Sequence, residues 1–342
     1  MCKMRSSSDV LIKAVRVDTG SRLHFGFYST TGGPGLFAGM GMAIDMPSFR
    51  AEVEALDGDV SVSGPGADRL AELAREVVNV LDVPGARIRA LSIIPAHVGL
   101  GSTTQMKLGV ARALSDIYGL GKSVRELAFM LGRGEFSGIG TIAFESGGFI
   151  VDTGRRPGRI SGPGDLPTEL FRLDVPGRWR FLLLIREGTR GLSEGEERDI
   201  LLGLEPMPER TASRICYLLV RRLLPALIWD DVVSFGRALT EIQELVGEYF
   251  SPHQGGVFMD EAAEELRAFL LAKGAYGVGQ SSWGPTIYAL TTEARAKALR
   301  EAVDAFLKER GLEYKILIVR PRNRGARIEI IKEENLGELE TR

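Results

Sequence analysis

Cysteine is nearly absent from this chain: only Cys2 and Cys216 occur among 342 residues. That excludes a disulfide framework and fits a reducing cytoplasm. Histidine is as scarce, with three residues and no paired spacing, which argues against a His/Cys zinc site. No apolar run approaches the roughly 20 residues needed to cross a bilayer. The N-terminus, Met-Cys-Lys-Met-Arg-Ser-Ser-Ser-Asp, lacks the apolar centre of a signal peptide. Neither sign of charge is in excess: 43 Lys plus Arg face 45 Asp plus Glu, a net of −2. That balance opposes a general binder of nucleic acid or anionic membrane, while leaving room for a local basic pocket. What remains is a cytoplasmic protein with 44% hydrophobic residues, enough for a large core, and a length that suits two domains.

Glycine, by contrast, is abundant at 42 residues, and one glycine-bearing segment dominates the reading. Pro95-Ala96-His97-Val98-Gly99-Leu100-Gly101-Ser102-Thr103-Thr104-Gln105 follows a short apolar strand and opens a helix. Met106, Val110, Leu114 and Ile117 recur at helical spacing beyond it. Gly99 and Gly101 allow a tight turn and a close backbone approach. Ser102, Thr103 and Thr104 bring hydroxyls and free N–H groups to the positive end of the helix, a ready anion site. A glycine turn without a ligand fits the same residues. The segment lacks the Gly-Lys-Ser/Thr of a Walker loop and is no dinucleotide fingerprint.

Periodicity predicts strands over Ile12–Val17, Phe49–Ala55 and Arg89–Ile94, and helices over Arg69–Leu81, Ser102–Tyr118 and Ser123–Gly132. Ser123 and Glu126 have the spacing of a capping box. Gly154 to Arg180 holds five glycines and four prolines and reads as a boundary. Beyond it come a strand at Phe181–Ile185, a helical region at Glu209–Phe250 interrupted at Pro225, and a helix at Glu261–Lys273. Strand Thr286–Leu290, helix Glu293–Arg310 and strands Tyr314–Val319 and Ala326–Ile331 close the chain. Such alternation implies layers of α/β or α+β type.

Three further segments concentrate polar groups beside glycines. Asp18-Thr19-Gly20-Ser21-Arg22-Leu23-His24-Phe25-Gly26 offers Arg22 for forked pairing with a phosphate or carboxylate, and His24 as hydrogen-bond donor or proton shuttle. Gly132-Arg133-Gly134-Glu135-Phe136-Ser137-Gly138-Ile139-Gly140 is followed by Glu145, which is either a base or a solvated carboxylate. Gly277-Val278-Gly279-Gln280-Ser281-Ser282-Trp283-Gly284-Pro285 supplies the neutral donors Gln280, Ser281 and Ser282 and the aromatic face of Trp283.

The 95–105 segment resembles the Pro-x-x-x-Gly-Leu-Gly-Ser-Ser phosphate loop of the GHMP kinase superfamily. That resemblance implies an α+β, GHMP-type two-domain fold. Residues 1–165 would form a ribosomal-protein-S5-like phosphate-loop domain, and 166–342 a ferredoxin-like domain with the ligand between the two. Kinases of the superfamily carry Ser-Gly-Ile-Asp where this chain has Ser137-Gly138-Ile139-Gly140. In many of them the Asp deprotonates the substrate hydroxyl, and Gly140 offers nothing for that task.

Arg22-Leu23-His24-Phe25-Gly26, Ser137-Gly138-Ile139-Gly140 and Gly279-Gln280-Ser281-Ser282-Trp283-Gly284-Pro285 together resemble the β-ribofuranosylaminobenzene 5′-phosphate synthase family of archaeal methanopterin biosynthesis. Phe136 departs from that family, where an arginine is expected. The resemblance implies decarboxylative joining of phosphoribosyl pyrophosphate to 4-aminobenzoate or 4-hydroxybenzoate, Mg²⁺ as cofactor and a homodimer, with no nucleic acid or membrane partner. It places Arg22, His24, Gln280 and Ser281 in catalysis. Gly99, Leu100, Gly101, Ser102, Thr103, Thr104, Gln105, Lys107, Ser137, Gly138, Gly140, Ser282 and Trp283 are the expected substrate and phosphate contacts. Loop amides, Arg22, Lys107 and Mg²⁺ would balance the leaving pyrophosphate. An ATP-dependent kinase with an unusual base is opposed by Gly140. A non-catalytic phosphosugar or nucleotide sensor is opposed by the density of polar groups at the glycine motifs.

Overall fold

The computed structural model describes residues 10–31, 34–189, 191–192 and 194–335, so Cys2 lies outside the described residues. Strands β1 (Val10–Ser29) and β2 (Ala38–Ala55) form a long antiparallel pair; β3 (Ser61–Ser63), helix α1 (Ala67–Leu81) and β4 (Ala86–Ser92) follow. Helices α2 (Ser102–Ile117), α3 (Val124–Met130) and α4 (Ile139–Glu145) lead to β5 (Phe149–Asp152), β6 (Glu169–Leu173) and β7 (Trp179–Arg186). A helical stretch comprises α5 (Glu194–Leu202), α6 (Glu209–Leu218), α7 (Leu224–Ile228), α8 (Val232–Gln254) and α9 (Ala263–Ala272). Strands β8 (Gly277–Gln280) and β9 (Thr286–Thr292), helix α10 (Glu293–Arg310) and strands β10 (Tyr314–Val319) and β11 (Arg327–Asn335) complete it.

Two sheets organise these elements into an α+β fold. The first has the order β11-β1-β2-β4-β3, with β5 paired to β2 and β6 to β5. The last strand therefore returns to the edge of the first. The second sheet has the antiparallel order β10-β7-β9-β8, the ferredoxin-like arrangement, with α9 and α10 burying Leu266, Leu270, Leu299 and Val303 beneath it. An aromatic cluster joins the sheets. Phe25 of β1 lies 6.2 Å from Phe149 of β5, 6.4 Å from Phe181 of β7 and 5.2 Å from Tyr288 of β9, measured between ring centroids. Among the described residues no helix is long and apolar enough to cross a membrane.

The apolar stripe of α2 (Met106, Val110, Leu114, Ile117) is buried as its spacing predicts, and Ser123 with Glu126 forms the capping box of α3. Other elements differ. The first strand runs on through Arg22 and His24 to Ser29, with bulges between Thr19 and Ser21 and between His24 and Gly26. The expected motif beyond the strand is thus the strand itself, bent where its ladder is interrupted. Pro225 does not break the helical region. It sits in the first turn of α7 behind a π-helical turn, Leu219–Leu223, which absorbs its missing N–H. The break falls at Asp230, whose φ is 56°, and Asp231 caps α8 through the Val233 and Ser234 amides.

One buried carboxylate fixes the floor of the cleft between the sheets. Asp152 is fully buried and accepts N–H groups from Gly39, Gly154 and Gly138, each at 2.9 Å. Desolvation pushes its pKa up to about 6, against the lowering effect of those three bonds. The native chain thus keeps a proton that the unfolded chain has lost between pH 3.8 and about 6. Stability from this group falls as pH rises through that window. Asp152→Asn should flatten this limb in urea-unfolding midpoints taken from pH 4 to pH 7; an unchanged slope would remove Asp152 from the titration.

Candidate active site

The phosphate-loop segment turns between β4 and α2. Gly101 caps α2 in the left-handed region, φ 75°, and no side chain accepts the first-turn N–H groups. These amides face a polar cavity of about 540 Å³ whose wall includes residues 99–104. The 277–286 segment packs onto the loop backbone to backbone. A Cβ at Gly99 would lie 2.1 Å from the Ser281 carbonyl oxygen, and one at Gly284 2.3 Å from the Gly99 nitrogen, so only glycine permits the approach. The Gly99 carbonyl accepts two hydrogen bonds, from Arg22 Nη1 and from Ser281 Oγ, both at 2.6 Å. The Leu100 carbonyl accepts the Arg22 amide at 3.2 Å, while the Leu100 side chain lies in the core. Desolvation lowers Arg22 to a pKa of about 10, so it keeps its charge at neutral pH.

Two arginines that sequence reasoning did not single out flank the helix start. Arg69 of α1 donates to Ser102 Oγ at 3.0 Å and to Thr103 Oγ1 at 3.2 Å. Arg133 donates to Thr104 Oγ1 through Nε at 3.2 Å and Nη2 at 3.1 Å. Position 133 lies inside a glycine motif already marked in the sequence, but nothing near Arg69 signals its role. Lys107 turns the other way: its ammonium pairs with Glu76 at 2.6 Å and lines none of the cavities around the loop. One turn into α2, the lysine pairs with α1 while its charge still reaches Glu194 at the loop cavity. Gln105 links structural elements too, donating to the Gly140 carbonyl at 2.7 Å and accepting from Thr19 at 2.6 Å. Gly140 lies against the loop helix, since a Cβ there would sit 3.2 Å from Thr104 Cγ2. Glu145, at the far end of α4, is exposed and lines none of these cavities.

A second cavity, of about 620 Å³, adjoins the polar one and is largely apolar, lined by Phe27, Phe136, Leu201, Val246, Phe250 and Trp283 among others. Trp283 is 8% exposed and meets Phe250 edge to face at 4.8 Å. His24 and Ser137 are among its polar groups, with Arg22, Glu197 and Gln280. The Gly26 N–H donates to His24 Nδ1 at 3.0 Å, which places the ring proton on Nε2, 2.9 Å from Ser137 Oγ. Desolvation, with the charge of Arg22, pushes the His24 pKa down to about 3. At neutral pH the imidazole is therefore uncharged, with its Nε2–H as a hydrogen-bond donor. Ser137 Oγ also accepts from Ile139 N–H at 3.3 Å, leaving its own proton free to donate. Gly138 gives its N–H to Asp152.

Gln280 and Ser281 line or adjoin this cavity with their polar atoms already engaged. Gln280 Oε1 accepts Met259 N–H at 2.7 Å and Nε2 donates to the Ser282 carbonyl at 2.8 Å. Ser281 Oγ accepts His24 N–H at 3.1 Å as it donates to Gly99. Ser282, held at φ 56°, gives its N–H to the His24 carbonyl at 3.2 Å. These contacts position β1 and the loop.

Helix α5 brings in carboxylates absent from the sequence reading, because Gly195 weakens its helical signal and only the acidic first turn announces it. Glu197 lines the polar cavity, the apolar one and a third that shares residues with both, as does Arg22. Desolvation raises the Glu197 carboxyl, and the nearby Arg22 and Arg133 oppose that rise. Burial also disfavours ionised Glu194, but Arg133, 2.9 Å from its Oε2, the charge of Lys107 and the Thr103 hydroxyl outweigh it and hold its carboxyl below the usual range. Among the described residues no group of three or more His, Cys, Asp and Glu side chains could hold a metal ion. Two carboxylates beside Ser and Thr hydroxyls suit Mg²⁺ that keeps most of its water and rides on substrate phosphates.

Known proteins resemble this chain over most of its length. The GHMP kinases N terminal domain matches residues 67–148, and the GHMP kinases C terminal domain matches residues 223–309. A beta-ribofuranosylphenol 5'-phosphate synthase from Archaeoglobus fulgidus is 32% identical over 92% of this chain and 100% of its own length. Its namesake from Methanothermobacter thermautotrophicus is 30% identical over 91% of this chain and 97% of its own. The crystal structure of homoserine kinase from Cytophaga hutchinsonii superposes with a TM-score of 0.67 at 17% identity, covering 96% of this chain and 100% of that one, a likeness of fold alone. With the polar loop, the apolar cleft and the glycine at position 140 already in place, the chain belongs to the beta-ribofuranosylphenol 5'-phosphate synthase family, on a GHMP kinase scaffold.

Proposed function

We infer that this protein is an enzyme that joins a phosphoribosyl group to an aromatic acid with loss of carbon dioxide, a step of methanopterin-type cofactor biosynthesis. The observation that carries the reading is the junction of a polar, amide-lined cavity with an apolar, aromatic-lined one at Arg22 and Glu197. A charged sugar donor and a flat ring need two such compartments side by side. The donor is phosphoribosyl pyrophosphate, with its pyrophosphate at the start of α2. The acid lies in the apolar cleft against Trp283 and Phe250, within the 300–1,000 Å³ range typical of small-molecule sites.

The ring carbon bearing the carboxylate forms a bond to sugar C1. The C1–O bond breaks with its electron pair leaving on pyrophosphate; the bond to carbon dioxide then breaks, and its pair restores the aromatic ring. The loop amides, Arg22, Arg69 and Arg133 supply the positive field into which pyrophosphate departs. Glu197, at the junction, balances the positive charge that develops on the sugar carbon. Mg²⁺, held by Glu194 and the loop hydroxyls, would add charge on the departing phosphates. No hydroxyl has to be deprotonated, so the absent carboxylate at position 140 costs nothing. Ser281 and Gln280 act as positioning residues through Gly99 and β1. The relatives are named for a phenol product, and 4-hydroxybenzoate suits the free Ser137 proton, since a phenol oxygen accepts a hydrogen bond better than an aromatic amine does.

Carboxyl-labelled 4-hydroxybenzoate, phosphoribosyl pyrophosphate and Mg²⁺ should release labelled carbon dioxide with the purified protein, faster than 4-aminobenzoate does. Turnover of ATP with an alcohol and no release would return the chain to the kinases. Arg22→Ala should lower kcat/KM by about 10²–10³ while the fold survives, read by steady-state rates and a thermal melt; an undiminished rate would remove Arg22 from the mechanism. Glu197→Gln should lower kcat by about tenfold or more with KM for both substrates little changed. A change confined to KM would make Glu197 a binding residue only.

A further inference from the structure

The polar cavity does not end at the loop. It continues into a connecting cavity and then into one of about 900 Å³, between α3, α5 and residues 155–160. Arg133 lines all three, and Arg198 of α5 lines the second and third. The far cavity gathers Arg133, Arg155, Arg159 and Arg198 against one carboxylate, Glu135, which pairs with Arg198.

Arg155 is the informative member. It is 8% exposed, and its Nη1 donates to the carbonyls of Arg156 at 3.1 Å and Gly158 at 2.9 Å. Its Nε is buried and has no hydrogen-bond partner. Its guanidinium lies 5.8 Å from the Phe37 ring and 5.9 Å from the Phe136 ring, and among the described residues no carboxylate forms an ion pair with it. Arg198 approaches the Phe136 ring as well, at 5.7 Å. A buried cation without a counter-ion is costly, and an unmade hydrogen bond adds to the cost. An incoming anion supplies the missing counter-charge.

The donor proposed above carries two anionic groups on opposite ends of one furanose, and the loop accounts for only the pyrophosphate. We propose that the far cavity is the subsite for the donor's 5-phosphate, gripped by Arg155 and Arg198, with the sugar in the connecting cavity. Arg133 reaches both ends and sets the spacing between them. This subsite rests on the reading of the substrate as a phosphoribosyl donor. It explains how a phenylalanine at 136 is tolerated: the ring is a platform for cations delivered from α5 and from residue 155.

Calorimetric titration of the full chain with ribose 5-phosphate, and separately with pyrophosphate, tests the assignment without turnover. Arg198→Ala and Arg155→Gln should weaken ribose 5-phosphate by about tenfold or more and leave pyrophosphate within about twofold. Unchanged ribose 5-phosphate affinity, equal loss for both ligands, or failure of the wild type to bind ribose 5-phosphate would each overturn it. Should Arg155→Gln fail a thermal melt, the half-exposed Arg198 decides the matter alone. Labelled carbon dioxide release by the wild type is read independently. Its absence beside a selective loss of ribose 5-phosphate binding would sink the reaction and leave the subsite standing.

Discussion

The Gly99 carbonyl oxygen is the point on which the site's geometry depends. It receives the guanidinium of Arg22 from β1 and the hydroxyl of Ser281 from the 277–286 segment, both at 2.6 Å. One acceptor thus ties together the phosphate loop, the first sheet and the second. The backbone contact of Gly99 with Gly284 leaves no space for a side chain between them. Hydrogen bonds from a charged donor into a buried carbonyl are among the stronger ones a protein makes. The arrangement therefore fixes where the start of α2 points and where the arginine charge sits relative to it.

The division of the cleft follows from that fixed point. On one side lie free amides, hydroxyls and arginines; on the other, Trp283, Phe250 and Phe27 with a neutral His24–Ser137 pair. Arg22 and Glu197 stand between them and line both. In a kinase the same scaffold needs a base for an attacking hydroxyl. Here the nucleophile is a ring carbon, and what the reaction needs is charge compensation on both sides of a breaking C–O bond. Removal of a side chain at position 140 opens space against Thr104 rather than disabling the site. Asp152 keeps the wall beneath it rigid by holding three glycine amides from three separate segments.

Local signals carried much of this. The stripe of α2, the capping box of α3 and the glycine motifs are short-range patterns, and each stands where its spacing placed it. The two bends of β1 were less legible, because bulges depend on the partner strand and not on the strand's own alternation. Pro225 misled because a π-turn can accommodate a proline that would otherwise stop a helix. Within the site, Arg22, His24, Ser137 and Trp283 could be marked from their motifs. Arg69, Arg155, Glu197 and Arg198 could not, since each reaches the cleft from an element with no motif of its own. Lys107 sits beside the loop in sequence, yet its ammonium pairs with Glu76 of α1 and acts on the loop cavity only through the charge it presents to Glu194.

A family built on a kinase scaffold invites the question of which bond is made, and that can be observed directly. Phosphoribosyl pyrophosphate labelled with ¹³C at sugar C1 and 4-hydroxybenzoate labelled with ¹³C at the ring carbon that bears the carboxylate would be incubated with the protein. The product would then be examined by ¹³C NMR. A one-bond coupling between the two labelled carbons is the result the account predicts, because the ring replaces pyrophosphate at the position carbon dioxide vacates. Two uncoupled signals, as from a sugar attached through oxygen or from an acid that keeps its carboxylate, would contradict it.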